Sequence, residues 1–482
     1  MIFFWLLLGI SLPTASGWFL CRIVEYQSPV LFRWERVALG FLLGITLMMF
    51  LSFLANTLLG VPFSKFGFLS VQITLTAILG GGWFLMPKEP WSVPAIAPSS
   101  PLPKWARVLL IICSAWIFVK ILAGLILLTA TPVYFDDVFN NWNLRGKISF
   151  VTEELALDAA TEEAISSGGV NSYPPTVPLF KTWLAKLAGR WEEGLVNTPH
   201  ILWYLSAAIL LWAALRRRTD QVTALLGTLM LLSIPLFLMH GISPYADAFL
   251  SAHVFAAVAM LFAAVTAGGS MERDAFFRLG GASAGLLAFT KNEALLLHLP
   301  PLLLLLCLAL IVLFSRGTMT RREIMKTLLF YGVSILAVAG PWILFKWLHG
   351  LPFGNAKGIP GFVAFWQPGV LYAMNYGLFF EGNWILFFPL LILGMALAWK
   401  RLFRLPHILP LAFFLIVFLG QLPIYMFTGL ATEVLRQTGY ARGIIHILPV
   451  GILALTLLYR ELLTDERLRV AGLRVTSATK KP

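Results

Sequence analysis

Ala106–Ala130, ARVLLIICSAWIFVKILAGLILLTA, runs directly into Thr131–Trp142, TPVYFDDVFNNW. The first stretch is long and apolar enough to cross a bilayer, since a helix needs roughly 20 such residues to span the hydrocarbon core. The second sets two adjacent carboxylates, Asp136 and Asp137, just beyond its end. Backbone polar groups inside a bilayer find no water, so crossings of this kind are helical. Similar runs recur along nearly the whole chain, about thirteen by the same length criterion. The expected fold is an all-α polytopic membrane protein of about thirteen transmembrane helices, with short outer loops carrying juxtamembrane helices.

Composition excludes a soluble globular chain, because 59% of the 482 residues are hydrophobic and only 12% are charged. A formal charge of +13 would suggest nucleic acid in a soluble protein. Here the basic residues fall in short loops between apolar runs, the distribution that orients helices, and anionic lipid headgroups are the expected partner rather than nucleic acid. Placing Arg216–Arg218, Arg273, Arg278, Arg316–Lys326, Lys400–Arg404 and the tail from Arg460 in the cytoplasm gives an alternation consistent from end to end. The segment from Thr131 to Thr198 then lies outside with many of the acidic residues. Met1–Leu20 lacks a basic n-region and reads as a first span rather than a cleaved signal. Cys21, Cys113 and Cys307 show no CxxC spacing, so no disulfide framework or thiolate metal site is implied.

Three regions follow: N-terminal helices and a Pro-rich cytoplasmic linker over 1–105, a catalytic transmembrane region over 106–460 that includes the outer loop 131–198, and a basic cytoplasmic tail over 461–482. The linker Pro87–Pro103 is too rich in proline to continue as helix. The outer loop holds Glu153, Glu154, Asp158, Glu162 and Glu163 and is long for a connector. Within it, Trp183–Trp191 alternates apolar residues with Lys186 and Arg190, next to Lys181, and reads as an interfacial helix with its basic side chains toward headgroups. Two more outer segments, His349–Trp384 with Asn355 and Lys357, and Thr428–Arg442, complete that side.

Polar residues otherwise excluded from the spans gather at the outer helix ends. Asp247 sits in the turn Ser243-Pro-Tyr-Ala-Asp247, Lys291-Asn292-Glu293 interrupts an apolar run, and Arg442 and His446 open the last span. An ionisable group at membrane depth costs a few kcal/mol, so each is functional or paired by default. Each also has a plainer reading. One of Asp136 and Asp137 caps a helix starting near Val138, Asp247 caps the span after it, Lys291 and Glu293 neutralise one another, and His446 is a packed interior histidine. Carboxylates and cations on one face suit attack of an acceptor hydroxyl on a glycosyl carbon whose leaving group is a lipid-linked phosphate, with a carboxylate as base and Lys or Arg on the phosphate. Asp136, Asp137 and Asp247 also offer hard oxygen ligands to a divalent cation, but no spacing compels one.

Asp136-Asp137 followed by Trp142 and Lys147, then Tyr173-Pro-Pro, a Tyr-Ala-Asp turn, Thr290-Lys-Asn-Glu293 and a late Ala441-Arg-Gly together resemble the bacterial GT-C class glycosyltransferases. These are relatives of the protein O-mannosyltransferases and aminoarabinose transferases, which use polyprenyl-phosphate sugars outside the cytoplasmic (inner) membrane. The resemblance extends loosely from Ala106 to Val450 and is a fold-level analogy. It implies Asp136 as the base, Asp137 as the group orienting acceptor or sugar, and Lys291 and Arg442 on the donor phosphate. Glu293, Asp247, Lys147, Tyr173 and His446 complete the implied donor site. The implied activity is inverting transfer of one sugar from a polyprenyl-phosphate donor to a hydroxyl of a lipid, glycan or protein, on the face of the membrane turned to the periplasm. No large C-terminal soluble domain is apparent, which speaks against transfer of a preassembled oligosaccharide. The competing reading is a secondary transporter or lipid flippase whose charges line a path, although such proteins usually show internal repeats and mid-membrane binding groups. A third is a non-catalytic assembly subunit.

Overall fold

A computed structural model of the chain describes residues 2–26, 28–86, 104–131, 133, 137–155, 171–353, 368–403 and 407–470. Asp136, the linker Pro87–Pro103, the acids Asp158, Glu162 and Glu163, Asn355, Lys357 and the tail beyond Val470 lie outside the described residues. Every described element is helical. Four long helices come first: α1 (Ile2–Glu25), α2 (Arg33–Leu59), α3 (Lys65–Leu85) and α4 (Lys104–Ala130). A π-helical stretch, Val138–Asn143, opens the outer segment and passes into α5 (Leu144–Thr152), α6 (Thr176–Ala188) and α7 (Glu193–Asn197). The bundle continues with α8 (His200–Arg216), α9 (Gln221–Ser233), α10 (Pro235–Gly241), α11 (Asp247–Thr266) and α12 (Ser270–Leu287). A second π-helical turn, Ala294–His298, enters α13 (Leu299–Ser315), followed by α14 (Arg321–Leu348), α15 (Pro368–Phe379), α16 (Phe387–Leu397), α17 (Ile408–Phe427), α18 (Ala431–Leu435) and α19 (Gly439–Val470).

Among the described residues ten helices are long and apolar enough to cross a membrane, or eleven when α9 and α10, bent 73° apart, are taken as one broken span. A count of thirteen would also need α12, whose first half carries Glu272, Arg273, Asp274 and Arg278, and α16, only 11 residues long. Neither reaches the length and apolarity of a span unaided.

The bundle is arranged around α11, in which every residue from Asp247 to Val265 is buried. Its sequence explains the position. Alanines at 248, 252, 256, 259 and 263 line one face, on which a neighbour can close in, and a helix apolar all round belongs inside. Helices α8, α12 and α19 pack against it. Two buried polar ties fix its register against α19 and α2: Ser251 Oγ donates to the Ile445 carbonyl at 2.8 Å, and Thr46 Oγ1 meets His253 Nε2 at 2.9 Å. By contrast α4, α13 and α14 show Ile111, Phe118, Ile311 and Leu336 on the outside, the surface expected against lipid tails.

Close helix contact is bought with glycine where α1 meets α2. A β-carbon on Gly17 would stand 1.9 Å from the Gly40 carbonyl oxygen, and one on Gly44 1.9 Å from that of Pro13. Gly40 and Gly44 thus form the small-xxx-small face that lets two backbones touch in a membrane. At the cytoplasm-assigned end of this pair, buried Glu25 takes Arg36 Nε and Nη2 at 3.0 Å each and the backbone N–H groups of Val30 and Leu31 at 2.9 Å. Arg217, just past the end of α8, binds Glu35 beside it, Nη1 to Oε1 at 2.7 Å, and Arg278 from α12 donates to the Val24 and Glu25 carbonyls. Helix ends assigned to the cytoplasm by their basic loops therefore converge on one another.

One expectation fails in the outer segment. Helix α6 is not an interfacial helix with its cations toward headgroups; it is buried along almost its whole length. Trp183 is fully buried and donates from Nε1 to the Gly9 carbonyl at 2.9 Å, and Lys181 is buried as well. The amphipathic spacing that suits a headgroup surface equally suits a helix inserted among α1, α2 and α5 when its lysine finds internal oxygens. Arg190 alone of the three cations stays exposed, paired with Glu192.

Glu25→Ala should leave the buried Arg36 guanidinium without its carboxylate at a cost of roughly 3–5 kcal/mol. The check is the thermal midpoint of the purified protein in detergent, which should fall by several degrees; an unchanged midpoint would refute this role for the pair.

Candidate functional site

At the opposite end of the bundle a single carboxylate collects donors from three segments. Asp247, fully buried, accepts from Lys291 Nζ on Oδ1 at 2.9 Å and from Arg442 Nε on Oδ2 at 3.0 Å. His446 Nε2 lies 2.8 Å from Oδ1 and His240 Nδ1 3.3 Å from Oδ2. The side chain does not cap α11, whose first turn it occupies; its oxygens are spent on cations and imidazoles. Local sequence places each partner. Pro235, lacking an N–H, starts α10 at a sharp bend from α9, and the short helix carries His240 to the carboxylate. The turns after Leu287 end α12 and leave Lys291 on non-helical backbone.

Arg442 extends the cluster to the surface. Its Nη1 pairs with Asp137, whose side chain is 42% exposed while that of Asp247 is 0% exposed, so the site grades from a sealed anchor to an open rim. Asp137 precedes the π-helical stretch but makes no capping bond to it. The guanidinium also lies over the Tyr245 ring, 5.0 Å from its centre. On the other flank Lys291 Nζ stands 3.4 Å from Glu293, and Tyr173 donates from its hydroxyl to Glu293 at 3.2 Å. Lys291 faces the rings of Tyr173 and Trp142 at 5.6 and 6.0 Å. Both π-helical turns begin at acids of this site, Asp137 and Glu293. Such turns re-aim side chains and are frequent at functional sites. In the second, Pro300 and Pro301 cannot donate to the carbonyls four residues earlier, which favours the wider turn.

Charge states follow from these contacts. Burial pulls the Lys291 ammonium down, but Asp247 and Glu293 outweigh it and hold it above its ordinary range. Burial pushes Glu293 up, while Lys291 and then His446 bring it below the usual carboxylate value. Tyr173 is driven well above its ordinary value by burial and then by Glu293, so its hydroxyl keeps its proton and donates.

The outer segment is clamped over this cluster by residues the sequence did not single out. Arg145 donates to the Tyr173 carbonyl at 3.1 Å, and Thr176 bonds the Phe289 carbonyl. Lys181 Nζ binds Asn143 Oδ1 at 2.6 Å, Asn197 Oδ1 at 2.9 Å and the Pro244 carbonyl at 3.5 Å. Asn292 Nδ2 reaches Ser172 Oγ at 3.3 Å and its Oδ1 accepts from Lys346 at 2.9 Å.

Of the expected site residues, Asp137, Tyr173, Asp247, Lys291, Glu293, Arg442 and His446 come together. Lys147 does not; it is exposed on α5 and takes no part in these contacts, whereas the basic residue two positions earlier, Arg145, turns inward. Asp136 lies outside the described residues. His240 was missed because it follows an apolar run with nothing local to mark it; a signal was available only in the Ser-Ile-Pro break before α10. Among the described residues no three His, Cys, Asp or Glu side chains are grouped to hold a metal. Asp247, considered a metal ligand on sequence, has both oxygens engaged by nitrogen donors.

The site sets two pH limits on stability. Glu293, depressed below about 4.5, stabilises the fold above that value and loses the contribution as pH falls through its lower native value. Lys291, raised above about 10.5, stabilises below that value and loses it as pH rises through its higher native value. Melting curves against pH should therefore fall on both sides of a plateau, and Glu293→Gln should make the acid limb shallower and, because Glu293 is the second of the acids that raise Lys291, weaken the alkaline limb as well; an acid limb identical to that of the parent would contradict the assignment. Asp247→Ala should lower the melting midpoint by several degrees, because Lys291 and Arg442 lose the acid they share and keep only Glu293 and Asp137 as partners.

Residues 172–345 match the family described as dolichyl-phosphate-mannose-protein mannosyltransferase. None of the curated proteins compared with the chain matches it. Two solved structures are similar to it: ArnT from Cupriavidus metallidurans in the apo state, at 15% identity and TM-score 0.46, and the same protein bound to undecaprenyl phosphate, at 15% identity and TM-score 0.47. The first likeness covers 79% of this chain and 66% of that one, the second 78% and 67%, so this chain spans about two thirds of the length of either. A likeness this loose assigns neither site nor substrate. Tyr173, Asp247, Lys291 and Glu293 fall within the family-matched segment, and with that match the resemblance to GT-C class glycosyltransferases stands on more than the motifs that first suggested it.

Proposed function

We propose that the protein is a membrane glycosyltransferase that moves one sugar from a polyprenyl-phosphate donor to a hydroxyl acceptor outside the cytoplasmic membrane. The observation that carries this reading is the convergence of Asp137, Arg442, Asp247, Lys291 and Glu293, from segments far apart in the chain, on one end of the bundle, with Asp137 the most exposed of the five. The family match over 172–345 supports the class of reaction. The basic loops at the other helix ends support an opening turned away from the cytoplasm under the positive-inside rule. In a bacterial cell this is the periplasmic face of the inner membrane.

The reaction is a single displacement. The acceptor oxygen attacks the anomeric carbon as the bond from that carbon to the phosphate oxygen breaks, its electron pair leaves on the phosphate, and the hydroxyl proton passes to a carboxylate. Inversion follows because no enzyme nucleophile intervenes. Asp136 is the base in this reading. Asp137, held by Arg442, orients acceptor or sugar, and the buried Asp247 keeps Arg442 and Lys291 charged and fixed. Polyprenyl phosphate is a good leaving group and needs no acid. The acceptor is a hydroxyl of a lipid, glycan or protein.

Asp136→Asn should lower transfer of labelled sugar from a polyprenyl-phosphate donor by roughly 100-fold or more, with an unchanged melting midpoint. Full transfer by that variant would remove Asp136 as base. Protein reconstituted in liposomes separates the transporter reading: substrate crossing the bilayer without a new glycosidic bond would overturn the enzyme assignment.

A further inference from the structure

Lys291 and Arg442, the cations first considered for the donor phosphate, are already neutralised. Counting the described cluster, three carboxylates (Asp137, Asp247, Glu293) face two permanent cations (Lys291, Arg442). A phosphate brought to that cluster alone would meet a surplus of negative charge.

The neighbouring cation is different. Lys346, in the last turn of α14, is 1% exposed, and its Nζ donates to Asn292 Oδ1 at 2.9 Å. Among the described residues no carboxylate lies within ion-pairing distance of it. Segment 354–367, which follows it closely in the chain, contains no Asp or Glu. Its other neighbours are the Trp342 and Phe353 rings, 5.4 and 5.5 Å away. An ammonium has three N–H donors, and one is used here. Lys181, also buried without a carboxylate, is surrounded by three oxygens and has nothing left to offer. Arg145, another buried cation on this side, is carried on the outer segment with its Nη2 on the Tyr173 carbonyl.

Two features tie Lys346 to a lipid and to the site. Around it on α14, Ile343, Leu344, Trp347 and Leu348 are exposed, as is Phe353, so the ammonium sits just inside a bilayer-facing surface at the outer helix end. Asn292, its partner, lies between Lys291 and Glu293 in the chain. A buried cation with unspent donors, an apolar approach and a link to the catalytic cluster is what a lipid-linked phosphate needs.

We propose that Lys346 binds the phosphate of the polyprenyl-phosphate donor, with the polyprenyl chain lying along the exposed face of α14 and the sugar turned toward the Asp137 rim. This rests on the glycosyltransferase reading above. The probe is undecaprenyl phosphate, added to the purified full chain in phosphatidylcholine nanodiscs, with undecaprenol and inorganic phosphate as comparison ligands. The parent protein should bind undecaprenyl phosphate and neither comparison ligand at similar concentration. Lys346→Gln should weaken that binding by about tenfold or more at an unchanged melting midpoint, Lys346→Arg should retain most of it, and Asp136→Asn should bind normally while failing to transfer. Parent-like binding by a folded Lys346→Gln protein would overturn the role of Lys346 and leave the glycosyltransferase reading in place. A parent protein that does not bind undecaprenyl phosphate would overturn the lipid-phosphate donor and this proposal together, and equal affinity for inorganic phosphate would overturn the lipid docking.

Discussion

A buried carboxylate, Asp247, organises the outer half of this protein. Its two oxygens engage Lys291, Arg442 and His446, with His240 close by, which binds the start of α11 to the turn after α12, the first turns of α19 and the bent helix α10. None of these groups is stable alone where it sits. An isolated charge in that surrounding is costly, and the mutual attraction offsets the cost only because every partner is aimed at the same two atoms. The helices are packed by apolar surface and small residues, but their relative height at this end is set by that one side chain.

The same arrangement separates rigidity from access. Asp247 is sealed, Arg442 passes its charge outward, and Asp137 stands at the open edge. In the proposed reaction the carboxylates at the rim must be reached by substrate, whereas the group that holds the cations in place must not wander. The outer segment closes over the cluster through neutral oxygens rather than further acids: Lys181 on Asn143 and Asn197, Arg145 on the Tyr173 carbonyl, Asn292 on Ser172. The inner end shows the opposite economy, with Glu25 and Glu35 paired to Arg36 and Arg217, which ties the helix ends there to one another.

Much of the candidate site was legible because the membrane makes it so. Asp247, Lys291, Arg442 and His446 are conspicuous where nearly everything else is apolar, and the alternation of basic loops put their helix ends on one side before any contact was known. Legibility failed where a residue's environment depended on a distant element. Lys147 and Arg145 lie on one short helix, and which of them faces inward is decided by the Tyr173 carbonyl. Lys181 belongs to a pattern that fits a headgroup surface as well as a protein interior, and the asparagines that draw it inward come from two other segments. His240 looked like any residue near the end of an apolar run until the bend at Pro235 turned it toward Asp247.

From residue order alone came the class of molecule, the helical character of its spans and the side on which its polar ends collect. These depend on local quantities: the length of apolar runs, the absence of water for backbone groups in a bilayer, and the bias of arginine and lysine among the loops. Only the packed structure decided which ions face one another, that Lys291 and Arg442 share one buried acid while Lys346 has none within pairing distance among the described residues, and that α6 is an interior helix. Pairing of charges is a property of distances across the bundle, and those distances arise from how small residues on α1, α2 and α11 let the helices approach, which no single segment encodes.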